Sequence, residues 1–345
     1  MTPDTAAARR QAPPSPTPRR RTLLTSMLAL TAGSGTAARA QDAATAWPDR
    51  PIRLIAPYPP GGQTDIVSRW LSERLRGVLP QPLVVDNRGG AQGMIGTQAA
   101  LAAPADGYTV LYVNASTTLI NPVIHANPGY DTFRDMAPAV QFGTAALVLT
   151  LRPDRGLRSL AELVAEAKRR PGALTYASFG IGSASHLYGA MLERAAGIQM
   201  SHVPYRGSSP AVLDVVAGNA FLSINDEAVS VPQIRDGRLI ALAVTGRERL
   251  ETLPDVPTFA ELGFGGGLEL LGFNGLAMRA GTPPAVVQRF AEAVLGVVRT
   301  PEGRARLREM GLVATGLGPA EFAAQLRRDA TPWAQAARDS GARVE

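Results

Sequence analysis

The stretch Ile52-Arg53-Leu54-Ile55-Ala56-Pro57-Tyr58-Pro59-Pro60-Gly61-Gly62-Gln63-Thr64-Asp65 holds a strand, a turn and the start of a helix. Ile52 to Pro57 is a short apolar run bounded by prolines, the pattern of a buried strand. From Asp65 to Leu79 the apolar residues Ile66, Val67, Trp70, Leu71 and Leu75 recur at helical spacing, with Arg69, Glu73, Arg74 and Arg76 between them. Working outward, Pro82 to Asp86 predicts a second strand, and Met94 to Ala103 a second helix stopped near Pro104. Thr109 to Val113 predicts a third strand. Strand, helix, strand, helix, strand, with fully apolar strands, predicts a parallel sheet covered on both faces.

The pattern restarts further along. Helices are predicted over 160–169, 185–197 and 210–217, and strands over 174–177, 200–203, 220–224 and 239–244. Two such series predict an α/β protein with two lobes. The last third reads as helical over 284–299, 301–310 and 319–328. Each of these runs opens with proline, whose missing N–H costs nothing at a helix start.

Composition narrows the function. The 345 residues carry 35 Lys+Arg against 29 Asp+Glu, a net charge of +6. Most of that excess is local, because Arg9, Arg10, Arg19, Arg20, Arg21 and Arg39 precede residue 41 and face only Asp4. The remainder is close to neutral, which argues against a nucleic-acid binder with a basic face. With no Cys, disulfides, thiolate nucleophiles and Cys-based metal sites are excluded. His125, His186 and His202 are the three histidines, little material for a metal centre, and no cofactor is expected.

Residues 1–40 read as an export signal. Three arginines, Arg19 to Arg21, precede the apolar stretch Leu23 to Leu30, and Ala38-Arg39-Ala40 offers small residues at a cleavage site. The apolar core is far shorter than the ~20 residues that span a bilayer. The adjacent arginines suggest the twin-arginine route. The expectation is a periplasmic protein, cleaved near Ala40, with its mature chain starting near Gln41.

Ligands of open α/β sheets bind beyond the carboxyl ends of strands, beside helix N-termini. Three loops qualify. In the first, Tyr58 to Asp65, Gly61 and Gly62 permit close backbone approach, and Thr64 or Asp65 can cap the helix that follows. A helix N-terminus carries about half a positive charge, an anion seat. The second, Ser178 to His186, offers hydroxyls, N–H groups and a histidine in the first helical turn. That position disfavours the imidazolium, so a neutral, hydrogen-bonding His186 is expected. The third, Asn114 to Thr118, follows the third strand. Arg88 and Arg206 lie near loop positions and read first as surface residues. Two such loops on two lobes predict a cleft that holds a small carboxylate through uncharged donors, each charge-assisted hydrogen bond contributing roughly 1.5–3 kcal/mol.

These residues bring a family into view. From Trp47 to about Trp333 the chain resembles the periplasmic solute-binding proteins of tripartite tricarboxylate transporters, the TctC-like, Bordetella-type uptake receptors. The segments that carry the likeness are Trp47-Pro48-Asp49-Arg50-Pro51-Ile52, Pro59-Pro60-Gly61-Gly62 with Asp65, Val85-Asp86-Asn87-Arg88-Gly89-Gly90, Gly93-Met94-Ile95-Gly96 and Pro104-Ala105-Asp106-Gly107-Tyr108-Thr109. Ala177-Ser178-Phe179-Gly180-Ile181-Gly182-Ser183, His202-Val203-Pro204-Tyr205-Arg206-Gly207, Leu253-Pro254-Asp255-Val256-Pro257-Thr258 and Ala280-Gly281-Thr282-Pro283 continue it in family order.

The resemblance implies a type II periplasmic binding protein fold, two α/β lobes joined by two crossover strands near 144–150 and 268–277. It implies one lobe from 41–146 plus 271–345 and the other from 147–270. It also implies ligand contacts at Tyr58, Pro60, Gly61, Gly62, Gln63, Asp65, Ser116, Thr117, Gly182, Ser183, Ala184, His186 and Tyr205, partly through ordered water. The chain departs from the family where an Asp is common: Asn225 stands there, followed by Asp226, and both join the candidate set. Phe221 is apolar where the family is polar, Phe273 stands for a common Trp, and Arg279 for a usual proline.

The function implied is an extracytoplasmic receptor, expected to be monomeric, that delivers a small organic carboxylate to the membrane subunits of a tripartite transporter. The competing reading keeps the fold but makes the protein the ligand-presenting partner of a membrane sensor, with no transport. An enzyme is disfavoured: Ser183 and His186 stand three apart at a helix start, with no acid placed to orient the histidine.

Overall fold

The computed structural model describes residues 47–342. The expected export signal, residues 1–40, lies outside them. β1 (Ile52–Ala56), α1 (Gln63–Arg74), β2 (Leu83–Asn87), α2 (Met94–Ala102) and β3 (Thr109–Asn114) form where the apolar pattern predicts. α1 stops at Arg74, short of the expected Leu79, because Gly77 takes φ +81° and turns the chain while Leu75 and Leu79 stay buried. After β3 come a π-helical turn (Ser116–Ile120) and the short helices α3 (Asn121–Ile124) and α4 (Thr132–Asp135). β4 (Met136–Ala145) runs almost without a break into β5 (Leu147–Leu151). The second series is α5 (Leu160–Arg169), β6 (Thr175–Ser178), α6 (Ala184–Ala196), β7 (Ser201–Pro204), α7 (Ser208–Ala217), β8 (Leu222–Asp226), α8 (Glu227–Arg235) and β9 (Ile240–Val244). The chain ends with β10 (Gly272–Arg279), α9 (Pro284–Val298), α10 (Pro301–Glu309), β11 (Val313–Leu317) and α11 (Pro319–Asp339).

The strands make two sheets, ordered β11-β4-β10-β3-β1-β2 and β7-β6-β8-β5-β9. The predicted parallel pairing holds for β2-β1-β3, with Leu54 opposite both Val85 and Val110, and for β7-β6-β8. The sheets as wholes are mixed, because strands beyond these series join them in the opposite direction. β10 is antiparallel to β3 and β4, and β5 is antiparallel to β8 and β9. The reason is topological. β5 and β10 each begin where the chain arrives from the other lobe, so they start at the edge where their parallel neighbours finish. This is the mixed α/β fold of two lobes and two crossovers.

The core follows from these elements. Ile52, Leu54 and Ile55 of β1 are fully buried, as are Leu149 and Leu151 of β5 and Ile224 of β8. α11 runs 21 residues, well past the expected end at Arg328. Pro332 inside it would by itself cost about 3 kcal/mol. Its neighbour Trp333, 1% exposed, offsets that by packing edge-on against Tyr188 of α6, with ring centroids 5.8 Å apart. Arg194 of α6 also pairs with Asp339 of α11 at 3.1 Å. The C-terminal helix thus braces the first lobe against the second.

Candidate functional site

Between the two sheets, at the ends of β1, β3, β6 and β8, lies a nearly closed cavity of about 60 Å³. Helix N-termini surround it. Gly62, Gln63 and Thr64 come from the start of α1, Ala184 from α6, and Gly207, Ser208 and Ser209 from α7. Asp226 immediately precedes α8. The amides of a first helical turn have no acceptor within their own helix, so each of these starts presents partial positive charge to the cavity. A larger hollow of about 750 Å³ also touches Phe273, which lines both spaces. It is lined by Arg249, Glu251 and Arg308 and has no convergence of helix starts.

Of the residues predicted from sequence, Tyr58, Pro60, Gly62, Gln63, Ser116, Ala184 and Asp226 line the cavity wall. The others stand behind it, each with its own task. The amide of Gly61 donates to Asp65 Oδ2 at 3.0 Å, and Asp65 also pairs with Arg69 at 3.0 Å. Burial acts to raise the Asp65 pKa, but hydrogen bonds from Arg69, the Gly61 amide and Asn87 outweigh it and hold the carboxyl below its ordinary range. Asp65 therefore fixes the glycine turn. Thr117 is fully buried and turned back on Asn114, its amide donating to Asn114 Oδ1 at 3.0 Å.

In the second lobe the Gly182 amide donates to His186 Nδ1 at 2.9 Å. The His186 ring stacks on His202 at 3.9 Å, with Tyr176 beyond. Burial pushes His186 down to about 4, so the imidazole is neutral, as its place at a helix start predicts. Ser183 caps α6, accepting from the His186 amide and donating to Gly180 O at 2.7 Å. The Tyr205 hydroxyl is held by Asp214, and burial with that neighbouring carboxylate pushes it up to about 12. Asn225, fully buried, accepts from the Asp226 amide at 3.1 Å. These residues shape the loops whose backbone meets the cavity.

Several lining residues escaped the sequence reading. Ser208 and Ser209 follow the strand-to-helix turn Tyr205-Arg206-Gly207, and the same signal that marked the other loops, a glycine before hydroxyls at a helix start, was present there. Phe179 lies inside the marked loop Ser178 to His186, whereas Asn274 and Tyr188 carried no such signal, because only the packing of two lobes brings them to the wall.

The lobes touch directly across the cavity. Ser116 Oγ accepts from the Ala184 amide at 3.1 Å, and Ser209 Oγ donates to Gly61 O at 2.7 Å. The Tyr58 and Phe179 rings meet edge to face at 6.5 Å. Burial pushes the Tyr58 hydroxyl up to about 12, with Asn114 and Ser116 as partial counterweights, so it stays a neutral donor. No group of three or more metal-ligating side chains occurs among the described residues.

Comparison with known proteins agrees with this geometry. The model of the tripartite tricarboxylate transporter family receptors matches residues 67–326. BugT of Bordetella pertussis is 34% identical over 305 residues, 88% of this chain and 93% of that protein. The structure of the periplasmic binding protein BugD superposes with a TM-score of 0.81 at 31% identity, covering 87% of this chain and all of that one. R. palustris Rpa4515 with adipate gives a TM-score of 0.83 at 29% identity, covering 86% and 100%. Family and fold are those of solute-binding receptors rather than enzymes. The chain belongs to the tripartite tricarboxylate transporter receptor family, whose solute-binding role it shares.

Proposed function

We propose that the protein is an exported, periplasmic receptor that closes on a small organic carboxylate and hands it to the membrane subunits of a tripartite transporter. The jaws are residues 41–146 with 271–345, and residues 147–270. The observation that carries this reading is the convergence of the α1, α6 and α7 N-termini on one cavity between the lobes. Anions bind such N-termini through unpaired amides and the helix dipole. The adipate held by the R. palustris relative supports the carboxylate class. Gly62, Gln63, Tyr58 and Ser116 are the contacts on one jaw, Ala184 and Ser208 on the other. Each closing hydrogen bond between jaws contributes only about 0.5–1.5 kcal/mol net. A ligand bonded to both jaws therefore biases the opening equilibrium strongly, and the closed surface becomes what a membrane partner reads.

Calorimetry with a panel of aliphatic mono- and dicarboxylates, beside native mass spectrometry of the freshly purified protein, tests the first half. Saturable binding or a co-purified acid is expected, and neither would defeat it. Deletion of the gene tests the second half: uptake of that acid should fall. A loss of transcriptional induction with normal uptake would instead favour a sensor's partner.

A further inference from the structure

The strands that cross between the lobes divide two spaces. Along the first, Ala145 and Leu147 line the cavity of the helix starts, while Thr144 and Ala146 line the larger hollow. Along the second, Gly272 and Asn274 line the cavity, Leu271 lines the hollow, and Phe273 reaches both. Successive side chains of a strand point to opposite faces, so the hollow lies behind the crossovers, on the reverse of the cavity. Both lobes wall it: Gln141, Thr315 and Asp329 on one side, Glu227, Glu248 and Glu269 on the other. This wall is short of positive charge. Arg308 is spent on Glu251 and Arg249 on Glu261, each at 2.9 Å. Arg247 remains, against four carboxylates, Glu227, Glu248, Glu269 and Asp329, none of which pairs with a Lys or Arg among the described residues. Burial raises the pKa of Glu227 and of Asp329. Hydrogen bonds from Thr252 and Gln325, and the charges of Arg235 and Arg328, counter it only in part.

Gln141 adds a second, independent sign. It is 2% exposed, and its Nε2 donates to Thr315 Oγ1 at 3.3 Å, yet its Oε1 accepts from nothing. A buried acceptor without a donor is costly, so its place at the wall points to a donor-bearing occupant. No group of three or more metal-ligating side chains occurs among the described residues, so the carboxylates are spread along the wall rather than gathered about one ion. Leu270, Leu271 and Phe273 lie at the same wall and suit an apolar spacer. We infer that the hollow is a second ligand site and that it takes an aliphatic diamine, one ammonium on the Gln141 and Asp329 side, the other on the Glu227 and Glu269 side. The crossovers bend as a hinge, so narrowing the cavity widens the hollow behind it. An occupant that fits the wide hollow therefore favours closed jaws. That coupling rests on the two-jaw reading, whereas the diamine site itself does not.

The test is calorimetry on the full purified protein at pH 7.5 with putrescine and cadaverine, and with butylamine as the singly charged control. At least one diamine is expected to bind saturably and about tenfold more tightly than butylamine. Asp329 and Glu269 are only partly buried, so Asp329→Asn and Glu269→Gln remove a charge without threatening the fold. Each should weaken the diamine by about tenfold, and Gln141→Met, which removes the orphan acceptor, should weaken it too. Gly62→Leu, which fills the cavity on the other face, should leave the diamine bound. No saturable binding by either diamine, or butylamine binding as tightly, would overturn the site. So would wild-type affinity in the Asp329 and Glu269 variants. Loss of binding in Gly62→Leu would put the diamine in the other cavity and overturn it as well. Small-angle scattering reads the coupling: a bound diamine should lower the radius of gyration, and binding with an unchanged or larger radius would overturn that half. Carboxylate affinity, measured separately, stands or falls on its own.

Discussion

Gly62 and Gly182 look alike in sequence, yet the structure gives them opposite sensitivities. Gly62 takes φ −87°, open to any L-residue, and a Cβ there would meet nothing within 4 Å. A side chain at Gly62 enters the cavity it lines. Gly62→Leu is therefore expected to melt within a few degrees of wild type, since exchanging a Gly N-cap for a poor capper costs about 1 kcal/mol. Carboxylate affinity should fall at least tenfold by calorimetry, and unchanged affinity would count against the role of the loop. Gly182 instead takes φ +72°, and a Cβ there would lie 1.8 Å from Ile124 Cδ1. Gly182→Ala pays a left-handed backbone penalty of roughly 1–2 kcal/mol and pushes Ile124, on the opposing jaw, away. Small-angle scattering should show an opened molecule with a larger radius. Trimming Ile124 to Ala in the double variant should restore part of the compaction, and strict additivity would mean the two do not meet.

At the scale of elements, caps matter more than the apolar periods suggest. Ser183 both accepts from the His186 amide and donates to Gly180 O, with 1% of its surface exposed. Ser183→Ala removes an N-cap, while Gly180 O keeps donors in Ser178 Oγ and the residue-183 amide, which predicts a loss of about 0.5–2 kcal/mol in urea unfolding. A loss below 0.5 kcal/mol would show that the α6 start tolerates its absence. The helix starts were visible as glycine-hydroxyl turns because local chemistry sets them. The true end of α11 was not visible. Pro332 reads as a stop, and only the burial of Trp333 against Tyr188 explains why the helix continues.

For the whole molecule, the histidine pair sets an acid limit. His186 is lowered to about 4 by burial, and His202 to about 3 by burial and then by the facing His186. A base whose folded pKa lies below its unfolded value near 6.5 contributes stability that is complete above 6.5 and is lost as pH falls toward the folded value. Denaturant unfolding at pH 7 and pH 4.5 should show a larger acid loss in wild type than in His186→Gln. Equal losses would mean that the stack titrates freely. Asp226 acts in the reverse sense, since its raised pKa favours the protonated form in the fold. The stability it contributes is present below about 3.8 and lost as pH rises through about 6. The comparison with a variant is therefore needed to isolate the histidines.

The sequence by itself determined the elements and two repeated βα series, because apolar period, caps and prolines act over a few residues. It also marked the cavity wall at Tyr58, Gly62, Ser116 and Ala184, because strand-to-helix turns present their amides wherever they occur. Only the tertiary structure decided which of the marked residues face the cavity. Asp65, Thr117, His186 and Tyr205 spend their polar atoms on their own loops, a choice made by partners such as Arg69, Asn114, the Gly182 amide and Asp214. It alone reversed β5 and β10, since a strand's direction depends on the side from which the chain enters the sheet. And it alone placed Asp226 and Arg206 at one cavity, because the end of β8 and the turn before α7 come together there through packing rather than through any local spacing.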